Sequence, residues 1–230
     1  MKILAVLTFV ALSFLSCKET SKEENQDILS ESNGKINNVS IIIDDNLWNG
    51  EIGDSIRKKF AAPVDGLPQE EPLFTLNQYP TKVFEGFVRK SRNIIIVKKG
   101  KEAGFSSNTN QFAKPQNVFF ISGTDTEDVL HVLEEKSAEI IKTIKAAEVT
   151  ENQIRMKKSL VSDAQVQKMF GVSLQIGFGY KYDMVKDNFI WLRKEFKSGY
   201  NSILVYQVPI EKVEKDNNII YQQSYLNFHH

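Results

Sequence analysis

One cysteine and three histidines in 230 residues leave little material for thiol, metal or imidazole chemistry. With Cys17 alone, no intrachain disulfide can close and no multi-thiolate metal site can be built. His131, His229 and His230 are the whole imidazole supply, so histidine-based catalysis is nearly excluded. No charge of one sign dominates either. The 29 basic and 29 acidic side chains cancel, and the electrostatic footprint of a nucleic-acid binder is missing. No apolar run reaches the roughly 20 residues that cross a bilayer as a helix. What remains is ordinary globular material: 41% hydrophobic and 25% charged residues argue against global disorder and for a packed core.

The N-terminus carries an address. Lys2 precedes an apolar run from Ile3 to Leu15, interrupted by Thr8 and Ser13 and followed by Ser16-Cys17. A charged start, a short apolar stretch and a small-residue exit make a secretory signal over residues 1–16. Phe14-Leu15-Ser16-Cys17 resembles the lipobox of bacterial lipoproteins, with Phe14 in place of the usual Leu. That resemblance implies that the Cys17 thiol takes a diacylglyceryl group and becomes the mature N-terminus. The competing reading is a buried free cysteine behind an ordinary signal. Removing the leader takes away Lys2 and no acid, leaving 28 basic against 29 acidic side chains. Residues 17–38 are polar and charged, and read as a lipidated, disordered tether. Lys22-Glu23-Glu24 within it resembles the acidic sorting signals that send some Bacteroidetes lipoproteins to the cell surface.

The folded part begins at Val39–Asp44 (VSIIID), a β-branched run with the look of a buried strand. Asp44-Asp45-Asn46 offers N-cap chemistry for a helix carrying Leu47, Trp48, Ile52, Ile56 and Phe60, and Gly50 and Gly53 would let it lie close to a sheet. Pro63, Gly66, Pro68 and Pro72 turn residues 61–72 into an extended loop bearing Gln69, Glu70 and Glu71. Arg92–Val97 predicts a second buried strand, residues 98–116 a loop, and Asn117–Gly123 a third strand. Thr124-x-x-Glu127 has capping-box spacing for a helix with Leu130, Leu133, Ile140, Ile144 and Ala147 on one stripe. Ser162-x-x-Gln165 repeats that spacing before a short helix that stops at Gly171. Alternation over Val172, Leu174, Ile176 and Phe178, followed by Phe189–Arg193 and Ile203–Tyr206, predicts a C-terminal antiparallel meander. The expected fold is α+β: one domain over residues 39–230, with a mixed or antiparallel sheet and helices packed on one face.

Several of these stretches resemble a family of Bacteroidetes lipoproteins known as domain of unknown function 4837. The features are the acid-ended first strand with Trp48, the loop Leu67–Phe74, Arg92-Asn93-Ile94, Phe189–Arg193 and the strand ending in Tyr206. The family continues beyond the point where this chain stops, which implies a C-terminally shortened copy. It has no established activity and lends no catalytic residue.

Chemical motifs are few. Gly104–Asn108 lacks the second glycine of a nucleophile elbow, and Gly177-x-Gly179 fits a bent strand better than a dinucleotide loop. Asp44 and Asp45 could hold Mg²⁺, although helix capping is the stronger reading of the same two residues. Paired with Glu70 and Glu71, they could form the acid and base of a hydrolase acting on envelope glycans or peptides. Trp48, Gln69, Glu70, Glu71, Arg92 and Trp191 are the candidate binding residues. Arg89–Arg92 and Arg155–Lys158 are basic clusters read as solvated faces. No cofactor is expected. The leading reading is a protein lipid-anchored to the cell envelope, at the outer membrane, with a binding or scaffolding role toward an envelope protein or glycan.

Overall fold

A computed structural model describes residues 29–67, 70–197 and 199–209. The leader, Cys17, the Lys22-Glu23-Glu24 run, Gln69 and the tail to His230 lie outside the described residues. The chain divides into two compact units at Ile141/Lys142, where the sequence suggested one domain.

The first unit is built on a mixed five-stranded sheet. Its strands are β1 (Asn38–Ile42), β2 (Thr75–Tyr79), β3 (Asn93–Lys99), β4 (Gly104–Thr109) and β5 (Asn117–Gly123), in spatial order β2-β1-β3-β5-β4. All neighbours are parallel except β4, which runs antiparallel to β5. The inner strands are buried on both faces, which is why they read as unbroken runs of Ile, Val and Phe. The edges are polar: TLNQY in β2 and GFSSNT in β4. Neither carries a hydrophobic alternation, so residues 98–116 read as loop although they contain β4.

Helices α1 (Asp45–Trp48) and α2 (Glu51–Phe60) replace the single predicted helix, with the break at Asn49-Gly50. Gly53 meets the carbonyl of Trp48 rather than the sheet. The chain passes from β1 through α2 to β2 on one side, then returns across β1 to β3. Right-handed connections running in opposite directions must use opposite faces. Accordingly the return segment, a 3₁₀ turn at Thr81–Val83 and α3 (Gly86–Arg89), brings Phe84 and Val88 onto Ile42, Ile94, Ile96 and Val118, joined by Phe112. The alternate residues Ile41, Ile95, Val97, Phe119 and Ile121 are buried on the other face. α2 contributes Ile52, Ile56 and Phe60 to the buried set.

After β5 comes α4 (Thr126–Lys157). Its cap lies one residue later than the sequence suggests: Asp125 Oδ1 accepts the Asp128 N–H, and Asp128 reaches back to the Thr124 N–H and hydroxyl. Val129, Leu133, Ile140 and Ile144 form its buried stripe, with Val129 taking the place expected of Leu130. Thirty-two residues make a helix of about 48 Å. The buried stripe from Val129 to Ile144 takes up about 22 Å of that length, and the helix runs on beyond it. The second unit begins inside this helix.

The second unit contains β6 (Leu160–Val161), α5 (Ala164–Phe170), β7 (Ile176–Gly177) and a three-stranded antiparallel meander, β8 (Lys181–Lys186), β9 (Phe189–Phe196) and β10 (Gly199–Tyr206). Gly171 ends α5 in the left-handed conformation, φ 68°, as its position predicts. The predicted strand over residues 172–178 shrinks to two residues, and Phe178 is exposed. The backbone amide of Leu174 and the hydroxyl of Ser173 are taken by Asp163 instead of a sheet partner. Val166, Ile176, Ile190 and Leu192 form the core of this unit. The α+β class and the C-terminal antiparallel meander both stand, with β8 as its first strand.

The end of the supposed tether is not loose. Residues 30–33 run beside Lys90–Arg92 and Lys114, forming bridges at Glu31 with Lys114 and at Asn33 with Ser91. A polar segment holds here because main-chain hydrogen bonds, not apolar burial, anchor it.

Candidate binding face

Strand alternation sends Ile190 and Leu192 into the core of the second unit and leaves Phe189, Trp191, Arg193 and Glu195 on the other side of β9. Opposite them stand Met184 and Lys181 on β8, and Leu204, Ser202 and Tyr200 on β10. A register shift between Tyr182 and Met184 inserts Asp183 as an extra residue. Bulges re-aim side chains, and this one delivers Asp183 to Arg193.

Arg193 organises the face. Its Nε donates to Asp183 Oδ2 at 2.6 Å, and its terminal nitrogen lies 3.3 Å from Glu195 Oε1. The same guanidinium lies 5.8 Å from the Trp191 ring centre and 5.7 Å from that of Tyr200. Trp191 is itself held by Nε1–H donating to Ser202 Oγ at 2.9 Å. Gly179, Lys181, Asp183, Arg193 and Glu195 line a shallow recess of about 240 Å³. Gly179 has φ +91°, and a β-carbon there would meet the Lys194 stem at 3.2 Å. Two cations and two carboxylates make the lining electrically neutral. It presents many hydrogen-bonding groups and no net charge, with the Trp191 and Tyr200 rings near Arg193 on the same face.

In the same unit, Asp163 ties α5 to the following turn by accepting from Ser173 Oγ, the Leu174 N–H and Gln167 Nε2. Those donors, the Ser173 hydroxyl first, hold its carboxyl below the usual range. Burial pushes the Tyr182 phenol up, with the Asp163 charge adding to the effect. The Tyr182 hydroxyl donates to the Ser162 carbonyl.

Of the described residues singled out by sequence, Trp191 lies on this face and the others serve elsewhere. Trp48 packs under Arg57, whose guanidinium is 4.5 Å from its ring centre and donates to its carbonyl. Arg92 is buried and donates to the carbonyls of Gly34 and Lys35. Asp44 gives its α1 helix no side-chain cap. It accepts the Thr81 N–H instead, while Asp45 accepts from Gln78 Nε2.

Glu70 and Glu71 are exposed on the proline loop, closed by the Pro63–Pro72 bridge. That loop leads into the start of β2, whereas Asp44 and Asp45 follow the end of the parallel strand β1. The two acid pairs therefore sit at opposite ends of the sheet, and the acid–base arrangement required of them is not formed. Among the described residues no group of three or more His, Cys, Asp or Glu is placed to hold a metal, and no helix is long and apolar enough to cross a membrane. Arg193 was within reach of sequence reasoning, since alternation along FIWLRKEF already groups Phe189, Trp191, Arg193 and Glu195. Asp183 was not, because a bulge has no sequence signal of its own.

Residues 32–157 match a family described as a domain of unknown function (DUF8532). Residues 159–226 match a second domain of unknown function (DUF4837). The resemblance drawn from the sequence is thus carried by Phe189–Arg193 and Tyr206, while the stretches around Trp48, the proline loop and Arg92 fall within the first match. Neither the curated proteins nor the solved structures yield a match.

Proposed function

We propose, from the premise that the chain belongs to the DUF8532 family, that it is a lipid-anchored protein of the bacterial cell envelope, at the outer membrane, whose role is to bind an envelope glycan. The leader and Cys17 support the anchor. The resemblance drawn from the sequence to Bacteroidetes lipoproteins, whose family domain of unknown function matches residues 159–226, supports the same compartment. The observation that carries the binding role is the Arg193 platform: a guanidinium with two carboxylate partners, between two aromatic rings. Sugar rings offer apolar C–H faces to aromatics and hydroxyls to charged hydrogen-bonding groups. A neutral recess favours an uncharged polyhydroxylated ligand over an anion or a cation. The hydrolase reading has weaker support, because the four acids it enlists lie at opposite ends of the first sheet.

Two measurements test the proposal. Clickable fatty-acid labelling of cells should mark the wild-type chain and not the Cys17→Ala variant. Titrating the purified protein with neutral envelope oligosaccharides should change tryptophan fluorescence, and Arg193→Ala should abolish the change. A response that survives Arg193→Ala moves the site elsewhere. No response to any neutral oligosaccharide refutes the glycan.

A further inference from the structure

We infer that the end of the first sheet where β1, β3 and β5 begin, at Phe87, Lys90 and Lys114, is the surface this protein lays against an anionic lipid bilayer. The inference rests on the acylation of Cys17 and adds to it an orientation.

The N-terminal segment leaves the first unit at this place and is stitched into it. The Lys114 N–H donates to Ser30 O at 3.0 Å and the Ser32 N–H to Lys114 O at 3.1 Å. The Asn33 N–H donates to Lys90 O at 2.8 Å, and its side-chain amide donates to Phe87 O at 3.0 Å. Leu29 is twelve residues from Cys17. Twelve residues reach about 40 Å at full extension. The rim at Lys90 and Lys114 is therefore covalently the nearest described surface to the acyl chains.

Its composition suits a headgroup layer. Phe87 is 70% exposed on α3, a costly position in water. Arg89, Lys90 and Lys114 are exposed around it, against Glu31 and Glu85 as the nearby acids. Arg89 lies 4.4 Å from the Phe112 ring centre, which holds its charge on this side of the unit. The acids of the proline loop, Asp65, Glu70 and Glu71, belong to the same end of the sheet but to its β2 edge, whereas Arg89, Lys90 and Lys114 border the starts of β3 and β5, and anionic lipid selects that cationic part. An aromatic side chain ringed by cations is the composition of interfacial membrane contacts. Because the anchor holds the protein at the surface, a contact too weak to bind alone suffices to orient it.

The full-length acylated chain offers a clean test, since Cys17 is its only cysteine and its thiol is consumed by the lipid. Phe87→Cys then carries the one free thiol for an environment-sensitive fluorophore. Lys99→Cys, exposed at the far end of β3 in the same unit, is the comparison site. In vesicles of phosphatidylethanolamine and phosphatidylglycerol, the label at 87 should shift to the blue and be quenched by spin-labelled lipid, and the label at 99 should not. Lys90→Glu with Lys114→Glu should shrink the docked population at least roughly fivefold per cation lost, as should high salt or phosphatidylcholine vesicles. Acylated, vesicle-bound protein whose label at 87 stays in water overturns the orientation while leaving the anchor standing. Equal quenching at both sites overturns it too. A chain whose Cys17 proves unacylated by mass removes the anchor and the orientation with it.

Discussion

Gly53 lies directly beneath Trp48: a β-carbon on residue 53 would stand 1.8 Å from the Trp48 carbonyl oxygen. That same carbonyl accepts from Arg57, so it cannot swing away without losing a partner. Gly53→Ala should destabilise the protein by about 1–3 kcal/mol through overpacking. Urea unfolding should show a lower midpoint with an unchanged slope.

Gln116 is a buried staple between two loops. Its Oε1 accepts from the Phe112 and Ala113 N–H groups, and its Nε2 donates to the carbonyls of Arg89 and Ser91. Gln116→Glu replaces the donor with a carboxylate oxygen facing two carbonyls. A loss of about 2 kcal/mol or more is expected at neutral pH. Part of it should return as pH falls, because the protonated acid can donate one hydrogen bond again. Thermal unfolding at pH 7 and at pH 5 measures both effects.

The start of α4 depends on Asp125, which accepts the Asp128 N–H. Asp125→Ala should cost about 0.5–2 kcal/mol, whereas Glu127→Ala, at the capping position read from sequence, should cost little. Chemical denaturation of the two variants separates them.

Asp163 links stability to pH. Its carboxyl is held low by the Ser173 hydroxyl, the Leu174 N–H and Gln167. A folded-state value below the unfolded one means that its contribution is complete above the ordinary aspartate pKa, about 3.9. The contribution is lost as pH falls through the lower folded value. By NMR, the Leu174 amide proton should titrate with a midpoint below the ordinary value. In Asp163→Asn that inflection should vanish.

Strands β1, β3 and β5 were legible because a strand buried on both faces must be apolar throughout, and Ile41–Ile43, Ile94–Val97 and Val118–Ile121 are. The helix ending at Gly171 was legible because the left-handed stop at φ 68° favours glycine. The edge strands β2 and β4 were not, since their polar residues look the same in a loop. The candidate face was half legible. Trp191 stood out by its type, whereas Asp183 acquires its place beside Arg193 only through the bulge at Tyr182/Met184.

Local chemistry in the chain was enough to establish the α+β class and the inner strands, because each depends on residue type and spacing within a few positions. The cluster Arg89–Arg92, read as a solvated face, instead loses Arg92 to burial against the Gly34 and Lys35 carbonyls. Packing alone determined that Asp44 and Glu71 belong to opposite ends of a parallel pair, and that the emerging N-terminal segment threads between Lys90 and Lys114. Strand direction and long-range backbone pairing arise from how distant segments share one core, and no short stretch of residues encodes them.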